Sequence, residues 1–271
     1  MTSLIRRQRA RPCLGTFVEI SVDAESVGMA DEAIAAAFAK VELVQNLMSY
    51  HDPLSEISTL NRTGQVKASL ELRHVLAFCK EVYGVTGGLV NVAVAPVLAK
   101  YGYLPKFDRD FVLGSPLDYL IEGENVILKR PIAIDLGGVA KGFAVDQAIA
   151  ELKRQGIPSA IVIAGGDLRA YGELREFFLR HPTQPSLLEP FLAAEDIAMA
   201  TSASYFSNPE SHEDRLPYVD RAGECLKHMP SVTVVAPQCM VADALTKYFL
   251  LGKPTEECLN FYSAKGLVRE Q

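Results

Sequence analysis

Two stretches of this chain carry a glycine pair at the end of an expected strand. They are Asp135-Leu136-Gly137-Gly138-Val139-Ala140-Lys141-Gly142 and Ala164-Gly165-Gly166-Asp167-Leu168-Arg169. Glycine lets the main chain approach a ligand closely and turn with positive φ, and successive N–H groups then form an anion nest. The first stretch also opens a helix, whose N-terminus adds partial positive charge. Lys141 falls in the first turn of that helix, where a cation works against the helix dipole. A phosphate nearby would account for a lysine placed there at such a cost. Either stretch alone reads equally well as a tight turn in an irregular sheet. Both together favour a diphosphate ligand. The spacing is neither that of a Rossmann fingerprint nor that of a P-loop.

A third stretch, Ala242-Asp243-Ala244-Leu245-Thr246-Lys247, starts another helix. Asp243 and Thr246 are three residues apart and share a face. A carboxylate and a hydroxyl placed so could ligate Mg2+, which prefers oxygen and phosphate partners. The plainer alternative is an Asp satisfying free N–H groups at a helix start. On spacing alone the plainer alternative is the better one.

Several elements must position these groups. Thr16, Val18, Ile20 and Val22 alternate with Phe17, Glu19 and Ser21, the pattern of an opening strand. Ile34, Phe38, Val41, Val44 and Met48 predict a helix over 29–48. Leu72, Val75, Leu76, Cys79, Val82 and Tyr83 predict another over 70–85. Residues 125–135 read as a hairpin. A helix over 139–155 stops at Gly156 and Pro158. The run Ala160-Ile161-Val162-Ile163 reads as a buried strand. Further strands are expected at 176–180, 197–201 and 231–236, and a last helix at 241–251. Residues 182–190 and 207–224 read as loops. Strands and helices mix without strict βαβ alternation. The expected class is therefore α+β, with mixed or antiparallel sheets and packed helices, in one domain over 1–271.

Bulk composition excludes some functions. Of 271 residues, 49% are hydrophobic and 22% charged, the balance of an ordered globular chain. A net charge of −6 gains nothing from counterion release, so nucleic acid is not an expected partner. The basic cluster Arg6, Arg7, Arg9 and Arg11 reads as a solvated leader. No apolar run approaches the length of a transmembrane helix. Cys13, Cys79, Cys225, Cys239 and Cys258 are scattered, without a C-x-x-C pair. An odd, widely spaced set reads as reduced thiols in a cytoplasmic protein.

Set in order, the motifs resemble the ApbE family. The resemblance runs from Gly15-Thr16 to Leu251-Gly252. It includes Met48-Ser49-Tyr50, Ser55–Asn61, Thr86-Gly87-Gly88, Asp135–Gly142, Ala164–Arg169, Ala200-Thr201-Ser202 and Ser231–Ala236, followed by Ala242–Leu245. The resemblance implies a protein that binds FAD and, with Mg2+, passes its FMN moiety to a Thr or Ser hydroxyl of a partner flavoprotein. Some members of the family only hydrolyse or hold FAD, and a binder of the same fold without transfer is the alternative. By position, Tyr50 resembles the aromatic that lies against the isoalloxazine, and Asn61 a residue near the adenine end. Lys141 with Gly137, Gly138, Gly165, Gly166, Asp167 and Arg169 resembles the phosphate cradle, and Thr201 and Ser202 are further FAD-binding candidates. Ala140, through its carbonyl, and Asp243 resemble metal ligands, with Thr246 beside them. Asp243, Lys141 and His212 are the catalytic candidates.

Four departures from the family pattern bear on chemistry. Asn91 stands where a carboxylate is usual, Ala203 replaces a glycine, and Pro217 replaces a histidine, with His212 five residues upstream as its substitute. The usual D-A-L-x-T becomes Asp243-Ala244-Leu245-Thr246-Lys247. Either Thr246 still reaches the ion, or the Lys247 ammonium stands in the ion's place. The second reading implies a weakened or absent Mg2+ site.

Overall fold

The computed structural model describes residues 4–204 and 215–270. In chain order the elements are β1 (Ile5–Cys13), β2 (Thr16–Ala24), α1 (Val27–Met48), α2 (Glu56–Thr63), β3 (Gln65–Lys67), α3 (Leu70–Val85) and α4 (Ala95–Lys100). There follow β4 (Tyr119–Glu122), β5 (Asn125–Leu128), α5 (Ala140–Arg154), β6 (Ser159–Ala164), β7 (Asp167–Tyr171), β8 (Arg175–Arg180) and β9 (Leu188–Ala194). The chain continues with β10 (Ile197–Ser202), β11 (Ser231–Ala236), α6 (Cys239–Leu251), α7 (Glu256–Phe261) and β12 (Lys265–Arg269).

The fold is α+β. Its main sheet has seven strands in the order β1-β2-β6-β7-β10-β11-β12, and every neighbouring pair is antiparallel. Side chains along a strand alternate between faces, and β10 shows the consequence. Ala198 and Ala200 enter the main core, while Ile197 and Met199 enter a second cluster on the other face. Over the first face lie α1 against β2, α5 against β6 and β7, and α6 against β10 and β11. The second face is covered by the β8–β9 hairpin, which contributes Phe177 and Leu179.

The expected helices at 70–85, 139–155 and 241–251 are present within two residues at each end. So are the strands at 160–163, 176–180, 197–201 and 231–236. The basic cluster at the N-terminus is not a leader. It forms β1, paired with β2 from Ile5↔Ala24 to Cys13↔Thr16. Leu14 and Gly15, with φ of 56° and 71°, make the two-residue connection, a conformation that matches the twist of the flanking strands. The arginines meet acids: Arg6 pairs with Asp23 and Glu173, Arg7 and Arg9 with Asp31, and Arg11 with Glu42. Charge along an edge strand of this kind also discourages pairing with other chains.

The hairpin expected over 125–135 is shifted. Asn125–Leu128 pairs backward with Tyr119–Glu122 and with Gln65–Lys67. The turn is at Gly123-Glu124, so Ile132-Ala133-Ile134 is free to run as buried irregular chain toward Asp135. The loop expected over 182–190 is shorter, because Leu188, Glu189 and Pro190 belong to β9.

Candidate active site

The turn after β6, the start of α5 and the second half of α6 converge on a cavity of about 360 Å3. The β6–β7 turn supplies Gly166 and Asp167 to its wall, and the chain entering α5 supplies Asp135, Gly137, Gly138 and Lys141. The end of β10 adds Thr201 and Ser202, and α6 adds Lys247. Asn91, Leu104 and Pro217 face them. Close packing dictates the glycines here. A Cβ on Gly166 would meet the Thr201 carbonyl oxygen at 2.3 Å, and a Cβ on Gly138 would meet Lys247 Cε at 2.9 Å.

Two lysines and two aspartates form the floor. Lys141 Nζ donates to Asp167 Oδ2 at 2.5 Å and to Asp243 Oδ2 at 3.2 Å. The main-chain N–H of Gly142 also donates to Asp243 Oδ2, at 3.3 Å. Lys247 Nζ donates to Asp243 Oδ1 and, at 2.9 Å, to the Asp243 carbonyl oxygen. Asp243 is 1% exposed, whereas the side chains of Lys141 and Lys247 are 30% and 17% exposed. The carboxylate is therefore sealed behind the two ammoniums, which reach the cavity. Burial pushes the Asp243 carboxyl up, but the two ammoniums outweigh it and hold it at about 2. Asp167 is raised to about 6 by burial and by the Asp243 charge, against the pull of Lys141 and Lys247. Burial also raises Asp135, which accepts from the Gly137 N–H at 3.2 Å. Lys141 is held charged well above the ordinary lysine value, since Asp167 and Asp243 outweigh its burial.

Hydroxyls tie β10 to α6. Thr246 Oγ1 donates to the Asp243 carbonyl at 2.7 Å and lies 2.8 Å from Ser202 Oγ. Thr201 Oγ1 lies 2.9 Å from Thr233 Oγ1.

Of the residues singled out from sequence, Gly137, Gly138, Lys141, Gly166, Asp167, Thr201 and Ser202 line the cavity. Asp243 and Thr246 stand directly behind its wall. Gly165 and Ala140 adjoin lining residues without lining it themselves. Three others are spent elsewhere. Arg169 pairs with Asp146 at 2.6 Å. Asn61 is fully buried and exchanges two 2.8 Å hydrogen bonds with the main chain of Ile134, bracing the segment that carries Asp135. Tyr50 is buried with Ala95 and Ala133, its ring edge-on to Phe107 at 5.3 Å. Leu104 packs on this cluster and also lines the cavity, so the two are neighbours. His212 lies outside the described residues. Asn91 uses its amide on the Gly114 carbonyl and the Ala93 N–H.

Sequence reading passed over Asp146. Its carboxylate accepts from the N–H groups of Cys239 and Met240 at 3.0 and 2.9 Å, and so fixes the first turn of α6. An acid nearly two turns into a helix gives no sign that it serves another helix's N-terminus. Leu104 was equally silent as a wall residue, because a long connection brings it to the cavity, whereas Pro217, singled out as standing at a family histidine position, does line it.

The sheet, the helices on one of its faces and a cavity floored by paired lysines and aspartates define an α+β protein with a charged site at this end of the sheet. The chain belongs to the ApbE family, whose model its residues 14–267 match. It is 29% identical over 237 residues to the FAD:protein FMN transferase of Haemophilus influenzae, covering 76% of this chain and 68% of that one. It is 28% identical over 230 residues to the FAD:protein FMN transferase of Vibrio cholerae, covering 76% and 69%. The solved flavin transferase ApbE from Vibrio cholerae superimposes with a TM-score of 0.82 at 24% identity, over 98% of this chain and 93% of that one. The ApbE protein from Thermotoga maritima gives a TM-score of 0.82 at 21% identity, over 97% and 94%.

Proposed function

We propose that this protein is an FAD:protein FMN transferase, taking FAD as donor and a Thr or Ser hydroxyl of a partner flavoprotein as acceptor. The observation that carries the reading is the placement of Lys141 and Lys247 beside Gly137, Gly138 and Gly166 in one cavity. Ammonium groups, main-chain N–H groups and the N-terminus of α5 together suit a diphosphate. The cavity shares Leu89, Asn91, Val94 and Val219 with a second one of about 440 Å3, lined also by Arg130 and Arg221. Both volumes fall in the ordinary range of ligand sites, and the second is a route for the acceptor.

In the transfer, the acceptor hydroxyl oxygen attacks the FMN phosphorus. The bond from that phosphorus to the bridging oxygen breaks, and AMP leaves with that oxygen. The hydroxyl proton passes to a carboxylate of the wall, where Asp135 and Asp167 are available. Positioning and charge neutralisation supply the catalysis in phosphoryl transfer of this kind. Lys141 holds charge at the phosphates, and Asp167 and Asp243 hold Lys141. The family resemblance implies Mg2+ on Ala140, Asp243 and Thr246. In this chain the Asp243 oxygens are already taken by Lys141, Lys247 and the Gly142 N–H, and the Thr246 hydroxyl donates back into its own helix. That donor set does not fit a divalent ion.

The alternative of an FAD binder without transfer is less well supported, since the curated relatives carry the transferase name. Five thiols free of disulfides suit a reducing, cytoplasmic setting. The function is tested by incubating the protein with FAD and a threonine-bearing acceptor flavoprotein and following nucleotides by HPLC. Release of AMP that depends on the acceptor is expected. FAD bound and recovered intact would overturn the transferase reading.

A further inference from the structure

Resting on the FAD reading for the identity of the ligand, we infer that Lys247 is the built-in counter-cation of the diphosphate site, so that FAD binds without a divalent metal. Lys247 sits one turn after Asp243 on α6, the spacing that brings two side chains together on one face. Its ammonium takes the Asp243 carboxylate oxygen and the Asp243 carbonyl oxygen that a cation at this place would take. An ammonium has three N–H donors. Two are committed to Asp243, and the third is left for the cavity, which Lys247 lines together with Gly137, Gly138 and Lys141.

The surroundings are shaped to this side chain. Gly138 has no Cβ where one would press on Lys247 Cε. The hydroxyl of Thr246, one residue before, is turned to Ser202 and to the Asp243 carbonyl, so it offers no lone pair in the ammonium's place without giving up those bonds. Lys141 and Lys247 face the carboxyl groups of Asp135, Asp167 and Asp243, so the site holds no surplus positive charge. A neutral residue at 247 would make it more negative by one charge and would leave the diphosphate more dependent on a metal ion. An ammonium is a point charge without an octahedral template. Lys247 therefore offers the diphosphate one charge-assisted donor and leaves its alignment to the two glycine turns.

The test is FAD binding by calorimetry or flavin fluorescence, with the intact protein in EDTA and in Mg2+, beside Lys247→Thr. Wild-type affinity is expected to be the same in both media. Losing one charge-assisted contact costs roughly tenfold to a hundredfold in affinity, so Lys247→Thr is expected to lose that much in EDTA and to regain it in Mg2+. Wild-type binding that requires Mg2+ would overturn the inference, and that comparison does not depend on the variant folding. Binding of FAD in EDTA without AMP release in any medium would uphold Lys247 while overturning the transferase reading. Release of AMP only in Mg2+, with binding also confined to Mg2+, would do the reverse.

Discussion

Lys141 and Asp243 show how one residue can serve both folding and ligand binding. Asp243 is buried and accepts from two ammoniums and one main-chain N–H. Removing one partner of a buried pair typically costs about 3–5 kcal/mol, because the other charge is left uncompensated. Lys141→Ala is therefore expected to lower unfolding stability by that order in urea titration and to abolish FAD binding. Full stability of this variant would show that the pair is not a structural unit. The Asp243 carboxyl has an ordinary value of 3.8 and is held at about 2 in the fold. A group lowered in this way stabilises the fold fully above 3.8, and that contribution is lost as pH falls toward 2. The stability gap between wild type and Asp243→Asn should therefore narrow as pH falls below 3.8. A gap that stays constant across that window would contradict the assigned pairing. At this scale the sequence was informative about residue type. Lys141 in a first turn is conspicuous because it opposes the dipole, and it lies at the site. Arg169 and Asn61 carry no such signal, since an arginine after a glycine turn and an asparagine in a helix look the same whether they face a ligand or, as here, Asp146 and the Ile134 main chain.

At the scale of elements, what could be read from sequence followed burial. α3 buries Leu72, Val75, Leu76, Cys79 and Val82, a stripe whose period declares a helix. β12 is exposed or half-buried along its whole length and has no such pattern. β1 offers mostly arginines to solvent and acids, so its pairing with β2 is visible only through the Leu14-Gly15 turn. The β4–β5 hairpin was misplaced because Gly123 and the Pro131 region offer turns on both sides of one apolar run. Two substitutions separate element stability from site geometry. Ser55 caps α2, accepting from the Ser58 N–H at 3.1 Å and donating to the Ser49 carbonyl. Ser55→Ala should cost about 1–2 kcal/mol in thermal unfolding and leave FAD affinity unchanged. Gly142 lies where α5 crosses the start of α6, and a Cβ there would sit 2.4 Å from the Cys239 carbonyl oxygen. Gly142→Ala should cost about 1–3 kcal/mol by overpacking and also weaken FAD binding, because it separates the helices that carry Lys141 and Asp243. Equal FAD affinity in both variants would mean that the α5–α6 spacing does not set the site.

Over the whole molecule, helices on one face of an antiparallel sheet leave its strand ends free, and the cavity is built where β6, α5 and α6 meet. The family pattern was legible across nearly the full chain because its motifs are loops with fixed chemistry. The wall supplied by Leu104 was not, since a long connection and not a local pattern sets it. The five cysteines belong to the packing of this assembly. Burial pushes the Cys225 thiol up to about 11 and raises Cys13, Cys79, Cys239 and Cys258 as well. Titration with a thiol reagent at neutral pH should therefore be slow in the native protein and complete after denaturation. Rapid native reaction would place at least one thiol outside the core. The most direct test of the central claim is mass spectrometry of an acceptor flavoprotein carrying a single target threonine, after incubation with this protein and FAD. Covalent FMN on that threonine, with AMP formed in equal amount, is the expected result. An unmodified acceptor beside intact, protein-bound FAD would contradict it.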